Sequence, residues 1–389
     1  MLVSVRGGGH NVAGISICDG GLMIDLSLMK GVRVDPANRT ARAEPGVTWG
    51  DLDRETQAFG MITPGGIIST TGIAGLTLGG GVGWLVRKHG LTCDNLLSAD
   101  VVTAEGKLIT ASATQNADLF WGLRGGGGNF GIVTSFEYRL HPHGNVLGGM
   151  LLHPWDKARD LLRFYRDFMP SAPEDLGVYA GLLTAPDGQP VAGLIVCYSG
   201  PLEKGDEVIR PLREFSPPMA DLVGEIPHLA MQTMLDGAFP AGNQNYWKST
   251  FLTELSDKAI DILIDCASRV TSPLSAVVLE YYGGASSRVG ETETAFPHRR
   301  AQYDLGILAQ WASPAESEQH VKWARDTFDA IQQFSSGNYL FNFLGLPDDQ
   351  KIDQVRAAFG QNYPRLVELK NKYDPTNFFR LNPNIKPTV

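Results

Sequence analysis

The stretch Arg6-Gly7-Gly8-Gly9-His10-Asn11 sets a histidine directly after three residues that have no side chains. Three glycines let a backbone turn freely and come within hydrogen-bond reach of a bulky anionic ligand, and a histidine ending such a loop sits beside whatever the loop holds. Before it stands only Met1-Leu2-Val3-Ser4-Val5, an apolar run that reads as one strand. Two more glycine clusters follow, Gly72-Ile73-Ala74-Gly75-Leu76-Thr77-Leu78-Gly79-Gly80-Gly81-Val82-Gly83 and Gly126-Gly127-Gly128-Asn129-Phe130-Gly131. The last fits Gly-x-Gly-x-x-Gly literally, but a dinucleotide fingerprint must follow a strand and open a helix. Here Ile132-Val133-Thr134-Ser135-Phe136-Glu137-Tyr138 continues as a strand, which excludes that turn, and no phosphate-loop motif exists. One cluster alone reads equally as tight structural turns. Three of them, all low in charge, point to backbone wrapped around a large ligand, with N–H groups suited to a pyrophosphate and apolar residues suited to a flat aromatic ring.

Bulk properties narrow the partners. The chain has 389 residues, enough for two domains, with 43% hydrophobic and 19% charged residues, the balance of an ordinary globular protein. A net charge of −9 argues against nucleic acid or an anionic membrane as partner. No apolar run reaches the ~18 residues of a membrane span, and no signal peptide is visible, so a cytoplasmic location is expected. Cys18, Cys93, Cys197 and Cys266 are far apart, and without paired Cys or His spacing no metal site is expected.

Organisation changes along the chain. Up to residue 142, glycine clusters alternate with short strands such as Gly21–Leu26, Ala99–Ala104 and Ile132–Tyr138, and Thr103–Leu108 reads as a hairpin turn. One helix is signalled from Trp49, with Thr48 as its N-cap. Beyond His141-Pro142-His143-Gly144, helical patterns appear at Trp155–Met169 and Asp257–Val270. Strands Val178–Leu183 and Val191–Tyr198 flank the turn dipeptide Asp187-Gly188. Strands Ala276–Tyr282 and Leu305–Trp311 extend the same sheet, and a helix over Asp353–Tyr373 precedes an irregular tail. The expected class is α+β.

Four motifs carry a family resemblance: Arg6–His10, Gly79-Gly80-Gly81-Val82-Gly83-Trp84-Leu85, Asp118–Thr134, and the tail Tyr373–Ile385 with Asp374-Pro375-Thr376-Asn377-Phe378-Phe379-Arg380-Leu381-Asn382-Pro383-Asn384. Together, over nearly the whole chain, they resemble the berberine bridge enzyme-like FAD-linked oxidases, of the vanillyl-alcohol-oxidase (PCMH-type) fold. The resemblance implies a bipartite FAD-binding domain from residues 1–142 and the C-terminal segment 344–389. Between them, residues 143–343 would form a substrate domain on an antiparallel sheet flanked by helices. It implies FAD contacts from Arg6, Gly7, Gly8, Gly9, His10, Asn11, Thr70, Thr71, Gly72, Gly75, Gly80, Gly81, Gly83, Gly131, Ile132, Val133, Asn382 and Asn384. It also implies a covalent bond from His10 to the flavin 8α-methyl carbon, and an unprotonated imidazole is a competent nucleophile for that step.

Departures from the family pattern matter as much. Relatives that attach the flavin twice use a cysteine where this chain has Ile68, so a single histidyl link is expected. Thr71 falls at the position resembling the family's oxygen gate, and its small size favours an oxidase with O₂ as acceptor. The tyrosine two residues after the linking histidine is replaced by Val12, and the tyrosine before a strand Asn is replaced by Leu340. Where some relatives place a glutamate after Gly283-Gly284, this chain has Arg288. That leaves Asp304, His298 and Tyr339 as candidate bases, while Trp247, Tyr246, Tyr282 and Phe341 are candidate lining residues. Relatives also carry further residues before the Arg6–His10 loop, so the FAD domain is expected to lack its first strands and helix. The function implied is hydride transfer from an alcohol, sugar or amine-type C–H of a small molecule to flavin N5, with electrons passing to O₂. The alternatives are a flavin-binding but catalytically degenerate protein and a flavin-free fragment.

Overall fold

The computed structural model describes residues 1–343 and 352–389. It divides into two compact units, the first made of Met1–Gly144, Ala285–Arg300 and Leu346–Val389, the second of Asn145–Gly284 and Ala301–Gly345. Ala285–Arg300 thus lies with the first unit, an excursion that the expected span 143–343 did not separate. The start of the expected C-terminal segment, residues 344–351, lies outside the described residues.

In the first unit, β1 (Val3–Arg6) and β2 (Leu22–Asp25) pair in parallel, Val3 opposite Leu22 and Arg6 opposite Asp25. Next come β3 (Val32–Asp35), β4 (Thr40–Ala43), α1 (Trp49–Gln57), β5 (Met61–Ile62), α2 (Ile73–Leu78) and α3 (Val86–His89). They are followed by β6 (Leu96–Val102), β7 (Leu108–Ser112), α4 (Ala117–Leu123), β8 (Ile132–Arg139) and β9 (His141–Pro142). Five strands form an antiparallel sheet in the order β3-β4-β8-β6-β7, and β5 pairs with β9. The expected hairpin joins β6 to β7, closed by Gly106 N–H donating to the Thr103 carbonyl at 2.9 Å. Thr48 caps α1 in a reciprocal box, its hydroxyl accepting from the Asp51 N–H at 3.4 Å while the Asp51 carboxylate accepts from the Thr48 N–H at 3.2 Å.

The second unit is built on an eight-stranded sheet with all its pairings antiparallel. In chain order it contains β10 (Val146–Pro154), α5 (Ala158–Phe168), β11 (Leu176–Thr184), β12 (Pro190–Tyr198), α6 (Gly205–Glu214), β13 (Ala220–Asp221) and β14 (Gly224–Ile226). It continues with α7 (His228–Thr233), β15 (Gln244–Leu252), α8 (Asp257–Ser268) and β16 (Ala276–Tyr281). After α9 (Ala285–Arg288), which belongs to the first unit, come β17 (Tyr303–Trp311) and α10 (Ser317–Ile331). Strand order is β13-β10-β12-β11-β16-β17-β15, with β14 also on β10. The expected turn between β11 and β12 forms at Asp187-Gly188, where Gly188 takes φ +83° and Ala185 N–H donates to Gln189.

One face of this sheet is buried under α5, α6, α8 and α10. Its residues Val178, Ala180, Leu279, Tyr281, Tyr303, Leu305 and Ile307 pack with Leu161, Tyr165, Leu212, Ile260, Leu263, Ala324 and Phe328. Four strands of this sheet escaped the sequence reading, β10, β13, β14 and β15. The C-terminal helix is not continuous as expected: α11 (Ile352–Phe359) ends at Gly360, whose φ of +46° interrupts the helix, and α12 (Tyr363–Tyr373) restarts with Pro364 in its first turn. Among the described residues no helix is long and apolar enough to cross a membrane, and no three His, Cys, Asp or Glu residues gather as a metal site. The four cysteines remain thiols.

Candidate functional site

The loop that ends in His10 lies directly against the segment before α2. Gly8 and Gly72 cross backbone to backbone, so a Cβ placed on Gly72 would stand 2.6 Å from both the Cα and the nitrogen of Gly8. A Cβ on Gly7 would stand 2.7 Å from the Pro45 carbonyl oxygen. Hydrogen bonds fix the lower strand of this crossing: Gly50 N–H to Ser69 O at 2.8 Å, Trp49 N–H to Thr71 O at 2.9 Å and Ile73 N–H to Val47 O at 3.0 Å. The loop above leaves β1 at Arg6, which pairs with Asp25 at 3.5 Å, and turns at Gly9 with φ +71°. Asn11 closes the next turn by accepting from Gly14 N–H at 3.0 Å. His10 is half-buried, Thr70 is exposed and Thr71 half-buried, while Ile68 is buried. The structure therefore brings Gly7, Gly8, Thr71 and Gly72 together.

The remaining glycines divide by what surrounds them. Gly80, Gly81, Gly83 and Gly131 are closed in by Phe296, Thr92, Gly65 and Val101 respectively, so protein packing already requires them. Gly75 is different: it is exposed, and a Cβ there would meet nothing within 4 Å. Ile132 and Val133 lie on β8, Val133 opposite Val101 in the sheet interior.

The tail is clasped to the third glycine cluster. The Asn129 amide donates to Gly126 O at 2.9 Å and Pro383 O at 3.3 Å, and its oxygen accepts from Ile385 N–H at 3.0 Å. Lys370, fully buried, donates to Asn129 O, Phe379 O and the Asp374 carboxylate, the last at 2.6 Å. Asn382 donates to Phe379 O at 3.1 Å. The side-chain oxygens of Asn382 and Asn384 are buried without a protein donor, an arrangement that leaves them available to a ligand.

In the second unit, the sheet face turned away from the helices carries the acids. Across β11, β16, β17 and β15, Tyr179 stands opposite Glu280, Glu280 opposite Asp304, and Asp304 opposite Phe251. These four form one row on one face, since directly paired residues point the same way. The Tyr282 hydroxyl donates to Asp304 Oδ2 at 3.2 Å, while Asp304 Oδ1 has no donor. Burial raises both carboxyls: Asp304 to about 7, and Glu280 well above the usual range with the Asp304 charge adding to the effect.

The other candidate bases lie elsewhere. His298 belongs to the first unit, where its Nε2 meets the Ala358 carbonyl at 2.8 Å and burial lowers it to about 4. Tyr339 packs on the helix-side core of the second unit, stacked 6.1 Å from Phe328. Tyr246 also lies on the helix side, its hydroxyl accepting from Arg325, whereas Trp247 is on the acid face. Phe341–Phe343 forms a single helical turn rather than the expected strand. Sequence reasoning missed Glu280 and Tyr179. The available signal was a lone carboxylate inside the apolar run Ala276-Val277-Val278-Leu279-Glu280-Tyr281.

Comparison with known proteins fits this arrangement. The family described as FAD binding domain matches residues 1–112, and the family described as berberine and berberine like matches residues 338–386. An FAD-linked oxidoreductase of Dictyostelium discoideum is 32% identical over 374 residues, covering 96% of this chain and 81% of that protein. The crystal structure of 6-hydroxy-D-nicotine oxidase from Arthrobacter nicotinovorans is similar at a TM-score of 0.89 and 29% identity, covering 99% of this chain and 86% of that one. A chitooligosaccharide oxidase is similar at a TM-score of 0.86 and 25% identity, covering 100% and 87%. On this identity over nearly the whole chain and the two family matches at its ends, the chain belongs to the berberine bridge enzyme-like FAD-linked oxidoreductases of the PCMH-type fold.

Proposed function

We propose that this protein is an FAD-dependent oxidase that holds its flavin through one covalent bond at His10 and oxidises a small molecule at a C–H beside an amine or hydroxyl. The observation that carries this reading is the Gly8–Gly72 crossing, which fixes the backbone two residues before His10, with the histidine half-buried at the loop's end. The residues present suit the cofactor: Asn382 and Asn384 offer buried acceptor oxygens that no protein group donates to, and a Cβ on Gly75 would meet nothing within 4 Å. Arg6, Gly9, Asn11, Thr70, Thr71 and the glycines around them complete the proposed contact set. When bound, FAD supplies the hydride acceptor at N5 and the route for electrons to O₂.

The chain's own residues set the rest. Ile68 is a buried aliphatic side chain at the place of a second attachment, so it offers no sulfur for another bond. Thr71 has its backbone held by Trp49 and Ile68, which keeps a small side chain at the proposed oxygen gate. Asp304 is the proton acceptor, because its buried carboxyl lies near 7 and one of its oxygens has no donor. Oxidases named for a nicotine derivative and for chitooligosaccharides, similar in fold and sequence, support the small-molecule reading.

The test is the visible spectrum of the purified protein before and after acid precipitation. Yellow colour retained in the pellet, and released to the supernatant by His10→Ala, is expected. Wild-type colour in the supernatant removes the tether, and a colourless protein removes the cofactor. Anaerobic bleaching by a panel of amines, alcohols and sugars, then H₂O₂ release on adding air, checks the oxidase activity. Bleaching without H₂O₂ formation in air makes the protein a dehydrogenase.

A further inference from the structure

Two carboxyls face each other on the second unit's sheet with no cation to balance them. Glu280 and Asp304 are directly paired across β16 and β17, 7% and 0% exposed. Among the described residues neither forms an ion pair, and no donor reaches the Glu280 carboxylate. Asp304 receives the Tyr282 hydroxyl alone. The groups facing the pair are Tyr179 from β11, Tyr282 beyond the end of β16, and Phe251 from β15; none is basic. Directly opposed cross-strand residues have Cβ atoms roughly 5 Å apart, where two buried negative charges repel strongly. A fold with no use for this pair would gain by replacing either acid with an apolar residue.

Further observations on the same face point to a ligand. The next row across the sheet reads Gly193, Gly181, Val278, Gly306 and Ser249, so three of its five positions have no side chain. Leu183 leans over Gly181 and Leu308 over Gly306, which makes the floor beside the acids apolar. Ser249 Oγ, in a residue 4% exposed, has no hydrogen-bond partner, and neither has Trp247 Nε1 one pairing further along. A polar atom left this way inside a protein is able to take a ligand, an ion or an ordered water.

We propose that Glu280 and Asp304 together form a recognition site for an organic ammonium group, walled by the rings of Tyr179, Tyr282 and Phe251 and floored by the glycine row. A cation replaces the missing counter-charge, the aromatic faces attract it further, and its hydrocarbon part lies over Leu183 and Leu308. A hydrated metal ion would gain nothing from such walls. The inference rests on the oxidoreductase reading in one respect, that the ammonium belongs to the substrate; the binding itself does not depend on it.

The test is isothermal titration of the holoprotein with two probes of the same shape that cannot be oxidised as amines, benzyltrimethylammonium and its uncharged carbon analogue neopentylbenzene. At pH 8 the cation is expected to bind at least tenfold more tightly than the hydrocarbon. Glu280→Gln and Asp304→Asn should each remove most of that preference and leave hydrocarbon affinity unchanged. Because the probe keeps its charge at every pH, its wild-type affinity should rise from pH 5 to pH 8 as the carboxyls ionise. That titration stands even if a variant fails to fold. Equal binding of the two probes, no binding of the cation, or a flat pH response would each overturn the site. Yellow protein without cation preference overturns the site and leaves the flavin reading intact, whereas colourless protein with the preference does the reverse.

Discussion

At the scale of single residues, Gly8 and Gly72 have little freedom to change. Each approaches the other's backbone so closely that a methyl group on either must separate the two segments. Gly8→Ala is therefore expected to cost about 2–4 kcal/mol in urea denaturation and to lower the flavin content of the purified protein. Gly144→Ala, where a Cβ meets nothing within 4 Å, should change stability by less than about 0.5 kcal/mol. The sequence displays the glycine clusters plainly but hides which neighbour each accommodates. Gly80 and Gly125 both make room for Phe296, which comes from the excursion between β16 and β17. Tight packing and ligand wrapping are both open readings of these clusters from sequence; packing accounts for Gly80, Gly81, Gly83 and Gly131, while a Cβ on Gly75 would meet nothing within 4 Å. The acids follow the same logic. Asp304 is visible as a carboxylate in a strand, and so is Glu280, yet only the register of β16 on β17 makes them a pair.

At the scale of elements, the tail clasp turns on Lys370 and Asn129. From sequence alone, a lysine on an amphipathic helix reads as a solvated charge. Here α12 buries it completely against the Asp374 carboxylate and two carbonyls. Lys370→Met leaves a buried carboxylate without its cation, although Phe378 and Phe379 N–H groups still donate to it. A loss of about 3 kcal/mol in chemical denaturation is expected, at the low end for a broken buried pair. Asn129→Ala removes three hydrogen bonds, one to Gly126 and the two that hold Pro383 and Ile385. It should free the tail to proteolysis at lower protease concentrations than wild type requires. The cap of α1 was readable because its chemistry is local, as Thr48 demonstrates, while Ser256, which caps α8, went unread. The break at Gly360 was missed because a glycine inside a helical pattern signals a stop only weakly.

At the scale of the whole molecule, buried titrating groups in both units shape the response to pH. His298 in the first unit and His228 in the second are each lowered from 6.5 to about 4 by burial. An unfolded histidine takes its proton near 6.5 while the folded one resists until about 4, so each contributes stability above 6.5 that is lost as pH falls through that window. The loss approaches about 1.4 kcal/mol per pH unit for each histidine. Asp304 acts with the opposite sign. Its carboxyl is raised from 3.8 to about 7, so its contribution is complete below pH 4 and lost as pH rises toward 7. Urea denaturation at pH 4.5, 6 and 8 should show His298→Gln flattening the acid side, and Asp304→Asn gaining on wild type between pH 4.5 and 8.

The division of the first unit among three stretches of chain has a consequence for how the protein is made. Translation reaches Met1–Gly144 before the second unit, but Phe296 arrives only with Ala285–Arg300, and the clasp on Asn129 only with Pro383 and Ile385. The second unit's central sheet is fully translated once β17 has left the ribosome, so it can assemble while the first unit, which by then has Ala285–Arg300, still lacks its C-terminal piece. Completion of the first unit thus waits for residues translated after the second unit's sheet, and its clasp closes only once Pro383 and Ile385 can reach Asn129.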